Sequence, residues 1–125
     1  MNDHPIKGID IHWYSVIDAA RATAFWRDTL GLNATWTGAQ GAVFLLPDGS
    51  WFGIWQDEHW TKSHGLMLAV DDVAAAVAYY SAKGVLFGAL GETPSCFNAT
   101  AHDSEGNEFI LHHSKDGSAG NERVR

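Results

Sequence analysis

Two segments of the chain join a strand-like run to a helical pattern, and they match each other at a fixed spacing. Both runs end in Val-x-Asp, at Val16–Asp18 and at Val70–Asp72, 54 positions apart. Aspartate is a good helix N-cap, because its carboxylate accepts hydrogen bonds from the unpaired N–H groups of the first turn. The i, i+3, i+4, i+7 spacing predicts two buried helix faces: Ala19, Ala22, Thr23 and Trp26, then Val73, Ala76, Val77 and Tyr80.

Each predicted helix is followed by strand-like material and a hairpin. Gly31 and Gly84 are placed to end the helices as left-handed caps, and the hairpins turn near Asp48-Gly49 and Glu105-Gly106. A strand, a helix and about three strands therefore occur twice, which predicts a duplicated α+β domain. The expected boundaries are about 8–60 for module one and about 61–114 for module two. A polar, Gly-rich tail over 115–125 follows.

Composition narrows the class of protein. The length of 125 residues suits one domain with a real core. The net charge of −7 argues against a nucleic-acid partner, and no apolar run approaches the roughly 20 residues of a membrane helix. The single cysteine, Cys96, fits a reducing cytoplasm. We therefore expect a cytoplasmic protein with neither a nucleic-acid nor a membrane partner.

Four motifs together resemble the vicinal oxygen chelate superfamily, which groups glyoxalase I, bleomycin resistance proteins, fosfomycin resistance enzymes and extradiol dioxygenases. They are VIDAARATAFWRDTLGL, AVDDVAAAVAYYSAKGV, GETPSC and DSEGNEFILHH, and the resemblance covers about residues 8–114. It implies two βαβββ modules that form a cupped mixed sheet, the glyoxalase/bleomycin resistance fold. Such proteins usually pair as homodimers and bind a ligand inside the cup.

The resemblance also implies where a metal would bind. Its ligands would lie five residues before the valine of each Val-x-Asp triplet and four residues after the second turn glycine. Those positions are Ile11, Gly65 and Ile110. None of these side chains coordinates a metal, so we expect neither a metal nor another cofactor, as in the metal-less, bleomycin-resistance-like branch.

Histidines stand close to the three empty positions. His12 and His64 are offset by one residue, which on a strand points a side chain to the opposite face. Only His112 keeps the parity of Ile110. A metal-dependent lyase or dioxygenase with shifted ligands at His12, His64 and His112 is therefore the least favoured alternative.

Strand parity predicts the side chains that would line the cup. They are Trp13, Ser15, Trp51, Trp55, Met67, Asn98, Thr100, Ile110 and His112. The predicted strands contain no Lys or Arg, which disfavours an anionic ligand. Three tryptophans would expose about 450–750 Å² of mostly apolar surface, whereas the largest apolar patch of a typical monomer is roughly 300–600 Å². We expect a ligand, a partner subunit, or both to cover these rings.

These residues support two functions of different classes. The first is binding of a small neutral or cationic aromatic molecule, with sequestration as in bleomycin resistance proteins. The second is a metal-independent enzyme that uses His112 as general base, oriented by Glu92 or Glu108. The tryptophans alone also fit a homodimer interface that holds no ligand.

Overall fold

The computed structural model describes Pro5 and residues 11–116, which form two four-stranded sheets with one helix each. The first half contains β1 (Ile11–Val16), α1 (Ala19–Ala24), β2 (Asn33–Gly38), β3 (Gly41–Leu45) and β4 (Trp51–Gln56). The second half contains β5 (Leu66–Ala69), α2 (Val73–Ser81), β6 (Gly91–Glu92), β7 (Cys96–His102) and β8 (Glu108–Ser114). The predicted positions 8–10 of module one and 117–125 of the tail lie outside the described residues.

The two sheets have the same topology. Their strand orders are β1-β4-β3-β2 and β5-β8-β7-β6. In each sheet the first strand runs parallel to the last, and the remaining pairs are antiparallel. The predicted α+β architecture of two βαβββ modules is therefore confirmed.

Both helices begin where the sequence predicts. Asp18 accepts a hydrogen bond from the backbone N–H of Arg21 at 3.0 Å, and Asp72 accepts one from Ala75 at 2.9 Å. Gly31 and Gly84 have φ values of 81° and 93°, which L side chains rarely adopt, and each follows the end of its helical segment.

The first helix differs from the prediction in its last turns. After Ala24 it continues as a π-helix over Phe25–Thr29, where Leu30 N–H donates to the Phe25 carbonyl at 3.0 Å. The apolar pattern carries no signal for this wider turn. Trp26 lies within it and is fully buried.

One core is shared by both sheets and by α1. The Trp26 ring centroid lies 4.5 Å from that of Phe52 on β4 and 5.4 Å from that of Phe109 on β8. Tyr14, Val16, Phe44, Ile54 and Leu111 belong to the same buried cluster. The inward-facing residues of β5, Leu66 and Leu68, are only half-buried.

The turn between β7 and β8 joins the modules by polar contacts. The Glu105 carboxylate, fully buried, accepts hydrogen bonds from Arg21 Nε at 2.6 Å, from Arg21 Nη2 at 2.7 Å and from the backbone N–H of Asp18 at 3.0 Å. Asn107 Nδ2 donates to the Ser15 carbonyl at 3.0 Å, and Trp26 Nε1 donates to Asp103 Oδ2 at 3.2 Å.

Tyr14 adds a further contact between the modules. Its hydroxyl donates to the Glu108 carbonyl at the start of β8. Burial raises the pKa of Tyr14 well above its usual range, so the phenol stays protonated and acts as a donor.

The corresponding turn of module one is placed differently. Residues 46–50 face β5 and Tyr80 of α2 across an open cavity of about 1320 Å³. β5 forms one wall of this cavity, which explains why Leu66 and Leu68 are half-buried. The modules are therefore in close polar contact at one end of their boundary. At the other end an open cavity lies between them, beside the hydrogen bond from the Tyr80 hydroxyl to the Leu30 carbonyl at 3.0 Å.

We predict that Glu105→Gln lowers the free energy of unfolding by about 1.5–3 kcal/mol at pH 7, because charge-assisted hydrogen bonds to a buried carboxylate are lost. The hydrogen bonds from Arg21 lower the pKa of Glu105. Its contribution is therefore present above the unfolded-state pKa of about 4.3 and is lost as the pH falls through the lower folded-state value. Urea unfolding of both proteins between pH 7 and pH 3 measures this.

The matched control is Glu92→Gln. Glu92 also forms an ion pair, with Lys115 at 2.6 Å, but its side chain is 61% exposed. Exposed pairs contribute little, so we expect a change below about 1 kcal/mol. Equal effects of the two substitutions, or a Glu105→Gln effect that does not shrink at low pH, would contradict the assigned role of the buried pair.

Candidate functional site

The outward face of the first sheet carries four tryptophans. Trp13, Gly53, Val43 and Trp36 form one row across β1, β4, β3 and β2, because the register pairs each with the next. Ser15, Trp55, Gly41 and Gly38 form the next row. We call Trp13, Trp36, Trp51 and Trp55 the tryptophan face; their exposed fractions are 47, 49, 39 and 47%.

Trp36 was not among the predicted site residues. Strand alternation from Ala34, which packs on the core, would also turn Trp36 inward. A β-bulge between Ala34 and Trp36 inserts Thr35 as an unpaired residue, so Ala34 pairs with Phe44 and Trp36 with Val43. Sequence alternation alone offers no signal for a bulge here, because Thr35 is an ordinary strand residue.

The second sheet places the predicted residues of module two on its outward face. Met67, Ile110 and Thr100 form one row, and Ala69, His112 and Asn98 form the next. Met67 is exposed, and the others are half-buried. All nine predicted residues therefore lie on the outward faces, as strand alternation predicts, although their role in binding stays a prediction.

Three of the nine predicted residues line one cavity. Trp51 of module one and Met67 and His112 of module two all border the 1320 Å³ space between the modules. The other six are not among its lining residues: Trp13, Ser15, Trp55, Asn98, Thr100 and Ile110. The cavity also has aliphatic walls, including Leu45, Leu66 and Val70.

His112 has an amide neighbour but no carboxylate partner among the described residues. Asn98 is its cross-strand partner on β7, but the Asn98 amide lies over Gly91 of β6, where an added Cβ atom would be 2.5 Å from Oδ1. Glu92, one of the two predicted orienting groups, is paired with Lys115 instead. Glu108 lies on the same strand face but four residues away, roughly 13 Å along β8. Neither carboxylate is therefore placed to orient the His112 ring.

The donor set does not fit a divalent metal of the kind used by glyoxalases. The positions implied for its ligands hold Ile11, Gly65 and Ile110. Across residues 11–116, no three His, Cys, Asp or Glu side chains come together as a metal site would require. His12 lies on the inward face of the first sheet, and its ring stacks with that of Phe52 at a centroid distance of 6.3 Å. His112 lies on the outward face of the second sheet.

The charge of the site is also distinctive. The eight described strands contain no Lys or Arg, so the tryptophan face and the second sheet supply no cation. The cavity lining includes the carboxylates of Asp48 and Asp71. An anion placed here would lack the compensating donors that its desolvation requires.

Sequence comparisons identify no relative. No family model matches the chain, and no curated protein is similar enough to match. None of the helices in the described part of the chain is long and apolar enough to span a membrane.

Solved structures, in contrast, match over most of the chain. A lactoylglutathione lyase from Agrobacterium tumefaciens is 17% identical, with a TM-score of 0.75, over 87% of this chain and 95% of that one. TnmS3, an antibiotic binding protein from Streptomyces sp. CB03234, is 22% identical, with a TM-score of 0.76, over 90% and 99%. A putative glyoxalase family protein from Bacillus anthracis is 17% identical, with a TM-score of 0.78, over 92% and 100%.

These neighbours establish the class of structure. The chain has the glyoxalase/bleomycin resistance fold, in agreement with the resemblance seen in its motifs. The neighbours differ in what their names say they do, one being a lyase and another an antibiotic binding protein. The fold is therefore established, and the function must be argued from the site.

We predict that the purified protein contains no stoichiometric divalent metal and that a chelator leaves its melting temperature unchanged. The reason is the absence of donor side chains at positions 11, 65 and 110. Elemental analysis and thermal unfolding with and without EDTA measure this. About one equivalent of zinc, nickel, manganese or iron that disappears in His112→Ala would overturn the prediction.

Proposed function

We propose that this protein is a metal-independent member of the vicinal oxygen chelate superfamily that binds a small neutral or cationic aromatic molecule. The predicted residues of both modules form the site: Trp13, Ser15, Trp51, Trp55, Met67, Asn98, Thr100, Ile110 and His112. The observation that carries the proposal is the cavity shared by Trp51, Met67 and His112. Its lining includes an aromatic ring from one module and a polar ring from the other.

The cavity suits a small molecule by its lining and its access. Ligand pockets typically enclose about 300–1,000 Å³ and combine apolar walls with a few polar groups. The space of about 1320 Å³ is larger than this range and open enough for a ligand to enter. Its leucine walls, one indole and two imidazoles, those of His12 and His112, have this composition.

The charge distribution supports the ligand class. The exposed indoles attract flat rings by stacking and attract cations through their π-faces. The described strands offer an anion no Lys or Arg, and the whole chain carries a net charge of −7. Glutathione conjugates and phosphonates therefore suit this site less well than neutral or cationic aromatics.

Sequestration in the cytoplasm is the physiological role that this binding supports. The name of one structural neighbour describes an antibiotic binding protein, and a single cysteine without a disulfide partner suits a reducing compartment. Binding alone removes a toxic aromatic compound from solution, so no reaction is required.

A second candidate function is metal-independent catalysis with His112 as general base. Its position in the cavity wall favours this candidate, because a general base must reach its substrate. The geometry favours binding over catalysis. Glu92 is paired with Lys115, and Glu108 is distant from His112, so neither expected carboxylate orients the His112 ring. Loss of a substrate on incubation with the wild type, but not with His112→Ala, would favour the enzyme.

We predict that aromatic ligands bind in the order cation, then neutral, then anion. N-methylquinolinium, naphthalene and naphthalene-2-carboxylate have similar size and differ in charge. Isothermal titration calorimetry with each should give the weakest binding for the carboxylate, because its burial is uncompensated. Equal or tighter binding of the carboxylate would overturn the proposed ligand class.

Alanine substitutions test whether the ligand binds at the tryptophan face. Trp55→Ala and Trp51→Ala should each weaken N-methylquinolinium about tenfold where the ring is fully covered by ligand. Tyr79→Ala is the matched control, because Tyr79 is an exposed aromatic residue on α2, outside the tryptophan face. A Tyr79→Ala loss as large as those of the tryptophan variants would mean that binding is not specific to the site.

We predict a homodimer at micromolar concentration, in which a second copy covers part of the tryptophan face. Four large rings that remain 39–49% exposed form an apolar surface, and the largest apolar patch of a protein is often a site of interaction. Sedimentation velocity of the wild type measures the oligomeric state. A monomeric wild type would contradict this prediction and leave ligand binding to be judged by titration.

A further inference from the structure

Trp36 belongs to the outward face only because of the bulge at Thr35. The extra residue moves Trp36 opposite Val43, in the same row as Trp13 and Gly53. The Thr35 hydroxyl donates to the Val43 carbonyl at 3.2 Å, which ties the bulge to the neighbouring strand. The bulge thus adds a third ring to the part of the sheet that carries Trp13 and Trp55.

Each of these three rings lies above a glycine. A Cβ atom added to Gly53 would be 2.5 Å from Cζ3 of Trp13, and one added to Gly38 would be 2.6 Å from Cζ2 of Trp36. A Cβ atom on Gly41 would be 2.3 Å from the Ile54 carbonyl oxygen and 2.9 Å from Cε3 of Trp55. Real Cβ atoms are not found so close to neighbouring atoms. Any other residue would therefore displace the ring at Gly53 and Gly38, and at Gly41 it would clash with the backbone of β4 as well as with the ring. The indole rings therefore lie against the surface of the sheet instead of projecting away from it.

The three glycines are neighbours in the sheet. Gly38 pairs directly with Gly41. Gly53 is two residues from Trp55, the residue that pairs with Gly41 on the other side. With strands about 4.8 Å apart and residues about 3.3 Å apart along a strand, Gly41 lies roughly 5 Å from Gly38 and roughly 8 Å from Gly53. Gly38 and Gly53 are two strands apart, at roughly 12 Å, with Gly41 on the strand between them. The rings above them form one low aromatic surface.

We propose that Trp13, Trp36 and Trp55, seated on Gly53, Gly38 and Gly41, form a flat platform that selects planar polycyclic aromatic cations, with Trp36 as its specificity-determining residue. This inference rests on the proposed function and specifies its ligand. A planar ligand of two or three fused rings contacts several indoles at once, whereas a propeller-shaped cation of equal charge contacts one. The absence of Lys and Arg from strands β1 to β4 favours a positive charge on the ligand.

Two aromatic monocations of different shape test the inference. Proflavine is flat and tricyclic, and tetraphenylphosphonium is not flat. Calorimetric titration of the full chain should give tighter binding of proflavine. Trp36→Ala should weaken proflavine about tenfold, Trp36→Phe should recover part of that loss, and tetraphenylphosphonium should change little.

Gly38→Ala tests the seating of the ring without removing it. The added Cβ must displace Trp36, so proflavine should bind several-fold more weakly although every indole is present. Tyr79→Ala, outside the face, should leave proflavine binding unchanged. Circular dichroism and thermal unfolding confirm that each variant is folded, which is expected because Trp36 is half-exposed.

The outcomes separate the inference from the proposed function. If proflavine binding depends on Trp51 and His112 but not on Trp36, the platform is overturned and ligand binding stands. If tetraphenylphosphonium binds as tightly as proflavine, selection for planar ligands is overturned. If none of the aromatic probes binds at millimolar concentration, the proposed function fails and the inference fails with it.

Discussion

The packing of Trp26 between the two sheets is the interaction on which the rest of the structure depends. Its ring contacts Phe52 of module one and Phe109 of module two, and its indole N–H donates to Asp103. A single side chain therefore fixes the distance between the modules and the position of the second hairpin turn. Because interiors are closely packed, this arrangement sets where the outward faces of both sheets lie. The exposed tryptophans and His112 owe their positions to a residue that is itself fully buried.

The two ends of the module boundary differ although the modules repeat the same plan. At one end, Glu105 accepts hydrogen bonds from Arg21 of α1, and Asn107 donates one to the Ser15 carbonyl of β1. At the other, residues 46–50 face β5 across the cavity. A duplicated fold supplies two equivalent boundaries. At the second, the Tyr80 hydroxyl donates to the Leu30 carbonyl at 3.0 Å, but the first hairpin turn leaves a cavity open beside this contact. The cavity thus arises from a difference in side chains within a repeated backbone.

Glycine and tryptophan act together on the outward face of the first sheet. Gly41 and Gly53 are buried there, because the indoles of Trp55 and Trp13 cover them. Glycine usually weakens a strand, since it brings no side chain to pack. Here the missing Cβ atoms let large rings lie along the sheet. Glycines, which are unfavourable in strands, thus contribute to a flat apolar surface made of tryptophans, which are favourable in strands. Such local conflicts are typical of functional surfaces.

The sequence by itself determined the local structure: the caps at Asp18 and Asp72, the hairpin turns, the repeated βαβββ order and the parity of the nine predicted site residues. These follow from interactions between near neighbours, which a single sequence displays. Only the tertiary structure decided that Trp51, Met67 and His112 share a cavity, that Glu92 is paired with Lys115, and that a bulge turns Trp36 outward. Each of these depends on how segments far apart in the chain pack together. Alternation along one strand carries no information about the partner strand that the bulge must fit, nor about the distance between two modules.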